Sequence, residues 1–277
     1  MPTVAAIVVT YQTGPRLKDC LAALAAADAV TAIVIVDNGN PPEMVRWLTE
    51  FCVRIAKAEY VAADRNVGFG TAVNVGARHR TEDYFLVINP DAMIRHDALP
   101  ALLQTAMTAA SPVIVGGRLF GPDGQPQAGP RRRRLTLKTL WSAMLGGPGL
   151  TLSDAPADAG AAEAVGAVSG GFFLIDRTGF DAIGGFDEAY FLHVEDIDLC
   201  ERARRAGGQV LFEPRAGAMH DGATSRVSSL IVERHKADGF AHYFRKFSRG
   251  PFHRLLVEFS LPVLRLGLWL RARRAPR

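Results

Sequence analysis

Short apolar runs alternate with segments whose apolar residues recur every three or four positions, and this alternation fills the first 120 residues. Residues 4–10 (VAAIVVT) are an unbroken, β-branched run, the pattern of a strand buried on both faces. Residues 16–27 then set Leu17, Cys20, Leu21 and Leu24 on one helical stripe. Residues 32–36 (AIVIV) predict a second buried strand that ends at Asp37-Asn38-Gly39. Pro41 or Pro42 suits the first turn of a helix running towards Phe51. The pattern predicts strands at 53–56 and 84–88, helices at 70–80 and 97–109, and a further strand opening at 113–115. Repeated strand–helix–strand order predicts an α/β fold, a mostly parallel central sheet flanked by helices. Ligands of such sheets sit at the carboxyl ends of the strands, so polar residues just after strands matter most.

Beyond residue 120 the pattern changes. Residues 121–166 dissolve into Gly, Pro, Ala and Arg around a helical fragment at 135–145, and read as a long flexible loop or lid. A strand is predicted at 168–175, a helix at 196–206 closed by Gly207-Gly208, a last strand at 210–212, and terminal helices at 230–247 and 252–274. This divides the chain into one domain over 1–249 and a basic amphipathic helix over 250–277. Arg254, Glu258, Pro262 and Arg265 interrupt the apolar stretch 252–270, which argues against a membrane span. With Trp269, the stretch suits a helix lying in a membrane interface, or one packed on its own domain or a partner subunit.

Of the 277 residues, 48% are hydrophobic, which excludes intrinsic disorder. The net charge of +4 is concentrated in Arg131 to Arg134 and in Arg271, Arg273, Arg274 and Arg277. These clusters lack the interleaved aromatics of a nucleic-acid face, so no nucleic acid is expected; an anionic membrane or a phosphorylated substrate fits better. Cys20, Cys52 and Cys200 have no metal-type spacing and read as small apolar filler. The first residues lack a signal peptide's basic region, which predicts a cytoplasmic protein, with peripheral attachment to the inner face of the membrane left open.

Several strand ends carry chemistry. Thr10-Tyr11 and Asp37 follow neighbouring strands; a tyrosine face stacks a nucleobase and a carboxylate accepts a base N–H, although Asp-Asn-Gly is equally a good turn. Arg65-Asn66-Val67-Gly68 opens a helix where backbone N–H groups can approach phosphate, without the ending of a Walker loop. Asn89-Pro90-Asp91 places a hard oxygen ligand directly after a strand. GGFDEAYFLHVEDIDL (184–199) holds His193, Glu195, Asp196 and Asp198, more acids than a helix cap needs, and offers a general base. His220, read as following the strand 210–212 by a short loop, could complete a mixed oxygen and nitrogen metal site with Asp91.

In their order, VVTY, VDNG, RNVGFGTAVNVG, INPDA, SGGFFLIDR, GGFDEAYFLHVEDIDLCERARRAG and MHDGATS resemble the inverting family 2 glycosyltransferases of the GT-A fold, especially rhamnosyltransferase-like members. The resemblance runs from about Val4 to about Ser225. It implies that Thr10, Tyr11 and Asp37 hold the nucleobase, with Arg65, Asn66 and Gly68 near the nucleotide and Asn89 near the ribose. It further implies that Asp91 and His220 face Mg2+ or Mn2+ at the diphosphate, that Asp196 is the base, and that Gly170, Gly171, His193 and Glu195 line the sugar or acceptor side. Asn-Pro-Asp stands where many members carry Asp-x-Asp, which leaves only Asp91 of that motif for the metal. The implied partners are a nucleotide-diphosphate sugar, dTDP-rhamnose in this branch, and a glycan or polyprenyl-diphosphate-linked acceptor; a homodimer is left open.

Two other readings stay open at this point: a sugar-nucleotide nucleotidyltransferase, and a non-catalytic binding protein on the same fold. The stretch Thr10-Tyr11-Gln12-Thr13-Gly14 lacks the basic, glycine-rich loop of the first, and retained acids at Asp37, Asp91 and Asp196 argue against the second.

Overall fold

The computed structural model describes residues 2–145, 147, 149–152, 160–221 and 229–274. The Gly222-Ala223-Thr224-Ser225 half of the last motif and Arg277 lie outside them. In chain order the elements are β1 (Val4–Thr10), α1 (Arg16–Ala26), β2 (Ala32–Asp37), α2 (Pro42–Arg54), β3 (Ala58–Ala62), α3 (Phe69–Ala77), β4 (Tyr84–Ile88), β5 (Ala92–Ile94), α4 (Ala98–Ala106) and β6 (Val113–Phe120). There follow β7 (Arg131–Arg132), α5 (Leu137–Met144), β8 (Glu163–Ala164), β9 (Ala167–Val168), β10 (Phe172–Asp176), α6 (Arg177–Ala182), α7 (Glu195–Arg205), β11 (Gln209–His220), α8 (Ser229–Lys246) and α9 (Pro251–Arg274).

The main sheet runs β3-β2-β1-β4-β10-β6-β11-β5, with β8 added on β11. Strands β3, β2, β1 and β4 pair in parallel, as do β6 and β11, while β10 inserts antiparallel between β4 and β6. Every residue of β1 is buried because alternate side chains enter different layers. Ala5, Ile7 and Val9 pack towards Val73, Phe180 and Ile197, whereas Val4, Ala6 and Val8 pack towards Leu17, Leu48 and Leu102. Two-sided burial is what made the first strands legible as continuous apolar runs.

Four expectations need correction. The strand predicted at 53–56 is the end of α2 and a turn, and Val53 is 82% exposed; Leu48 and Phe51 continue the helical stripe, and pairing resumes only at Ala58 opposite Ile33. The strand predicted at 168–175 is two strands, because Ser169-Gly170-Gly171 lets the chain leave the small β7–β9 sheet and enter the main one. The three-residue strand at 210–212 extends over twelve residues through an irregularity between Glu213 and Gly217 that absorbs Pro214. His220 therefore ends that strand instead of following a loop.

Within 121–166 the described residues contain β7, α5 and β8. Helices α8 and α9 pack together, and Trp141 of α5 donates to Ser260 of α9 at 3.3 Å. Cys20, Cys52 and Cys200 are free thiols, and among the described residues no helix is long and apolar enough to cross a membrane.

Candidate active site

The carboxyl ends of β2, β1, β4 and β11 share one edge of the sheet, and antiparallel β10 enters at that same edge. Asp37, Asp91 and Asp196 thus border one edge despite lying far apart in sequence.

At the β2 end, Asp37 pairs in register with Thr10 and is buried. Its Oδ1 accepts from the backbone N–H groups of Gly39 (3.0 Å) and Asn40 (2.9 Å) and from the Asn40 amide (2.8 Å), while Oδ2 accepts from the Tyr60 hydroxyl at 2.6 Å. Burial alone would raise the Asp37 carboxyl, but these hydrogen bonds outweigh it and hold it below its ordinary value. Burial, then Asp37, pushes the Tyr60 phenol up to about 12. Thr10 is fully buried; its hydroxyl donates to Val36 O and accepts from Asn40, so it reaches the site through Asn40. The half-buried Tyr11 ring lies beside Gly39, near the Asn66 backbone. Asn38, which sequence reading passed over, ties this corner together: it donates to Asn66 Oδ1 at 3.1 Å and accepts from Val67 N–H at 2.9 Å. Arg65 is exposed on the same loop. Gly68 has φ +88°, and a Cβ there would fall 2.4 Å from Phe191 O.

At the β4 end, Asn89 N–H donates to Gly171 O at 2.9 Å, and its side-chain amide lies 3.2 Å from His220 Nε2. His220 Nε2 is 3.3 Å from Asp91 Oδ1, and Nδ1 is 2.8 Å from Gln127 Oε1. Gln127 also donates to His220 O at 2.7 Å. The carbonyl of Gln127 assigns the proton of a neutral ring to Nδ1, leaving the Nε2 lone pair beside the Asp91 carboxylate. An oxygen and a nitrogen donor facing one another, with the imidazole fixed by an outer partner, suit a divalent cation that takes its remaining ligands from diphosphate and water. Gln127 had no signal in the sequence, since 93 residues separate it from His220.

The acidic motif divides its labour. Asp198 is structural: fully buried, it accepts from Tyr190, Arg202 and Lys246. Asp196, in the first turn of α7, accepts from Gly170 N–H and from Arg132 Nη1 on Oδ2, both at 2.8 Å. The Gly170-Gly171 pair thereby links the Asp196 carboxylate to Asn89 and onward to His220 and Asp91. Glu195 is buried with Oε2 lacking a hydrogen bond among the described residues; burial, reinforced by Asp196, pushes its carboxyl up to about 8. His193 and Val194 enter the helix with φ of 70° and 74°, a left-handed pair that costs energy, most of all at β-branched Val194. The turn is held from two sides: Phe191 O accepts from Phe69 N–H, and Gly239 of α8 packs so closely that a Cβ would fall 2.9 Å from His193 O. Burial, then Lys236, lowers the His193 imidazole to about 4.

The arginine run, read from sequence as suited to an anionic membrane or a phosphorylated substrate, is largely engaged within the chain. Arg131 pairs with Glu163, Arg132 with Asp196, and Arg134 with Glu201 at 2.6 Å.

Residues 5–183 match the family model of glycosyl transferase family 2. The chain belongs to that family. This glycosyltransferase is 29% identical over 251 residues to the N-acetylglucosaminyl-diphospho-decaprenol L-rhamnosyltransferase of Mycobacterium tuberculosis, covering 83% of this chain and 81% of the relative. It is 26% identical over 227 residues to rhamnosyltransferase WbbL of Escherichia coli, covering 77% and 81%. Its fold is that of the GT-A glycosyltransferases. A mannosyltransferase of Pyrobaculum calidifontis, solved with GDP-Man and Mn2+, superposes with a TM-score of 0.59 at 18% identity over 100% of this chain and 76% of that one. GalNAc-T7, solved with UDP, GalNAc and Mn2+, gives 0.64 at 14% identity over 94% of this chain, which spans 55% of that longer one.

Proposed function

We propose that this glycosyltransferase moves an L-rhamnosyl group from a nucleoside-diphosphate donor, best matched by dTDP-rhamnose, to a hydroxyl of a polyprenyl-diphosphate-linked glycan. Two relatives named as rhamnosyltransferases support the donor, and one named for a decaprenol-linked diphosphate supports the acceptor. The observation that supports this mechanism is the connected path Asp196–Gly170-Gly171–Asn89–His220–Asp91, which would hold the base relative to the diphosphate.

On this reading the nucleobase lies against Tyr11 beside Asp37, with Asn66 and the Gly68 turn bordering the nucleotide. Asp91 and His220 would hold Mg2+ or Mn2+, which supplies positive charge against the departing diphosphate. Asp196 takes the proton of the acceptor hydroxyl while that oxygen bonds to the anomeric carbon; the bond from that carbon to the diphosphate breaks, and its electron pair leaves with the diphosphate. Attack from the face opposite the leaving group inverts the anomeric configuration. Gly170 N–H and Arg132 keep the Asp196 carboxylate in one orientation throughout.

The test is a thermal-shift panel of nucleotide sugars with manganese, followed by transfer to a polyprenyl-diphosphate GlcNAc acceptor. Stabilisation and transfer by dTDP-rhamnose above UDP- and GDP-sugars are expected. Preferential use of another donor would overturn the sugar assignment, and pyrophosphate release from a nucleoside triphosphate would overturn the reaction class.

A further inference from the structure

Helix α9 has two apolar faces. On one, Val257, Leu261 and Leu264 are buried at 0%, 4% and 2% exposure in the same core cluster as Phe244 of α8. On the roughly opposite face, Phe252, Leu255, Leu256, Phe259, Val263 and Leu266 recur at helical spacing, each between 44% and 73% exposed. At 1.5 Å per residue this second row is roughly 21 Å long. A contiguous apolar row of that extent marks a surface that meets something other than water.

The surrounding charge decides the occupant. The helix carries five arginines against one glutamate, and Glu258 is already engaged by Arg245 and Arg254. Arg249, Arg254, Arg265 and Arg273 are exposed on or beside the helix. At its far end the Arg273 guanidinium lies 3.8 Å from the centroid of the Trp269 ring, an aromatic–cation pair suited to headgroup depth. A second copy of the chain would bring the same arginines to face these, whereas anionic headgroups would complement them.

We propose that α9 lies in the headgroup layer of an anionic lipid surface, with the row from Phe252 to Leu266 directed inward and the buried face holding the catalytic domain. The inference goes beyond the transfer reaction and holds whatever the acceptor is. The test is co-sedimentation of the full chain with vesicles of phosphatidylcholine containing phosphatidylglycerol, against phosphatidylcholine alone. Anionic vesicles should be bound at least about tenfold more tightly, because each arginine at the surface contributes about fivefold. The Phe259→Glu, Val263→Glu double variant removes only exposed apolar groups, so it should keep its circular dichroism and Tm while losing about a hundredfold in vesicle affinity. Equal binding of variant and parent, or no sedimentation with anionic vesicles, would overturn the proposal. So would a parent dimer that the double substitution converts to monomer while vesicle binding stays unchanged.

Discussion

The Arg132 guanidinium lies 2.8 Å from Asp196 Oδ2, joining two side chains 64 residues apart. The other hydrogen bonds to this carboxylate come from the backbone N–H groups of Gly170 and Ile197, so the ion pair is the main side-chain control over how it is aimed. Because Arg132 sits on β7, pinned by pairing with β9, its position is set by the small second sheet and not by side-chain flexibility.

Replacing Asp196 by Asn should leave the fold intact and lower kcat by roughly 10²–10⁴-fold, the usual loss on removing a positioned base. Arg132→Ala should cost less, roughly tenfold to a hundredfold in kcat with donor KM nearly unchanged, as expected of a residue that orients the base. Steady-state kinetics with saturating donor separate the two; wild-type turnover in Asp196→Asn would remove that residue from the role.

Gln127→Ala should weaken manganese activation about 10–100-fold through loss of the outer hydrogen bond to His220, with a smaller effect than His220→Ala. Electron paramagnetic resonance of free Mn2+ gives the affinity directly. An unchanged affinity would separate Gln127 from the cation site.

The Glu195 carboxyl gives a pH signature. Its folded-state value is raised to about 8 by burial and by Asp196, so the folded chain holds a proton that the unfolded chain releases near its ordinary value of 4.5. The stability it contributes is full below the unfolded value and is lost as pH rises through about 8. Glu195→Gln should flatten the decline that runs from pH 4.5 up to about 8, a difference of the order of a few kcal/mol at most. Urea denaturation across that range measures it, and parallel curves for parent and variant would contradict the assignment.

Gly68→Ala should destabilise the chain by about 1–3 kcal/mol, because the left-handed backbone and the Phe191 carbonyl both exclude a Cβ. Donor KM should rise as well, since the same turn borders the proposed nucleotide corner. Thermal unfolding and donor titration report the two effects separately.

Asp37 and His220 illustrate the limits of reading one dimension. Asp-Asn-Gly after an apolar strand marked a strand-end polar site, but the Tyr60 hydroxyl that donates to Asp37 at 2.6 Å is brought there only by the parallel pairing of β2 and β3. His220 was visible as a donor type, but the strand it ends was underestimated because Pro214 and the small residues 216–218 weaken the apolar alternation.

The sequence by itself determined the layered α/β architecture, the first strands and helices, and the strand-end acids, since two-faced burial and helical periodicity are written locally in residue type. It also determined family membership, through motifs kept in order. Only the tertiary structure decided the partners of these groups: Asp198 became a buried brace, Asp196 received Arg132, and His220 received Gln127. Those partners are set by sheet order and loop crossings over tens to hundreds of residues, and hydrogen bonds at that separation leave no periodic trace in the chain.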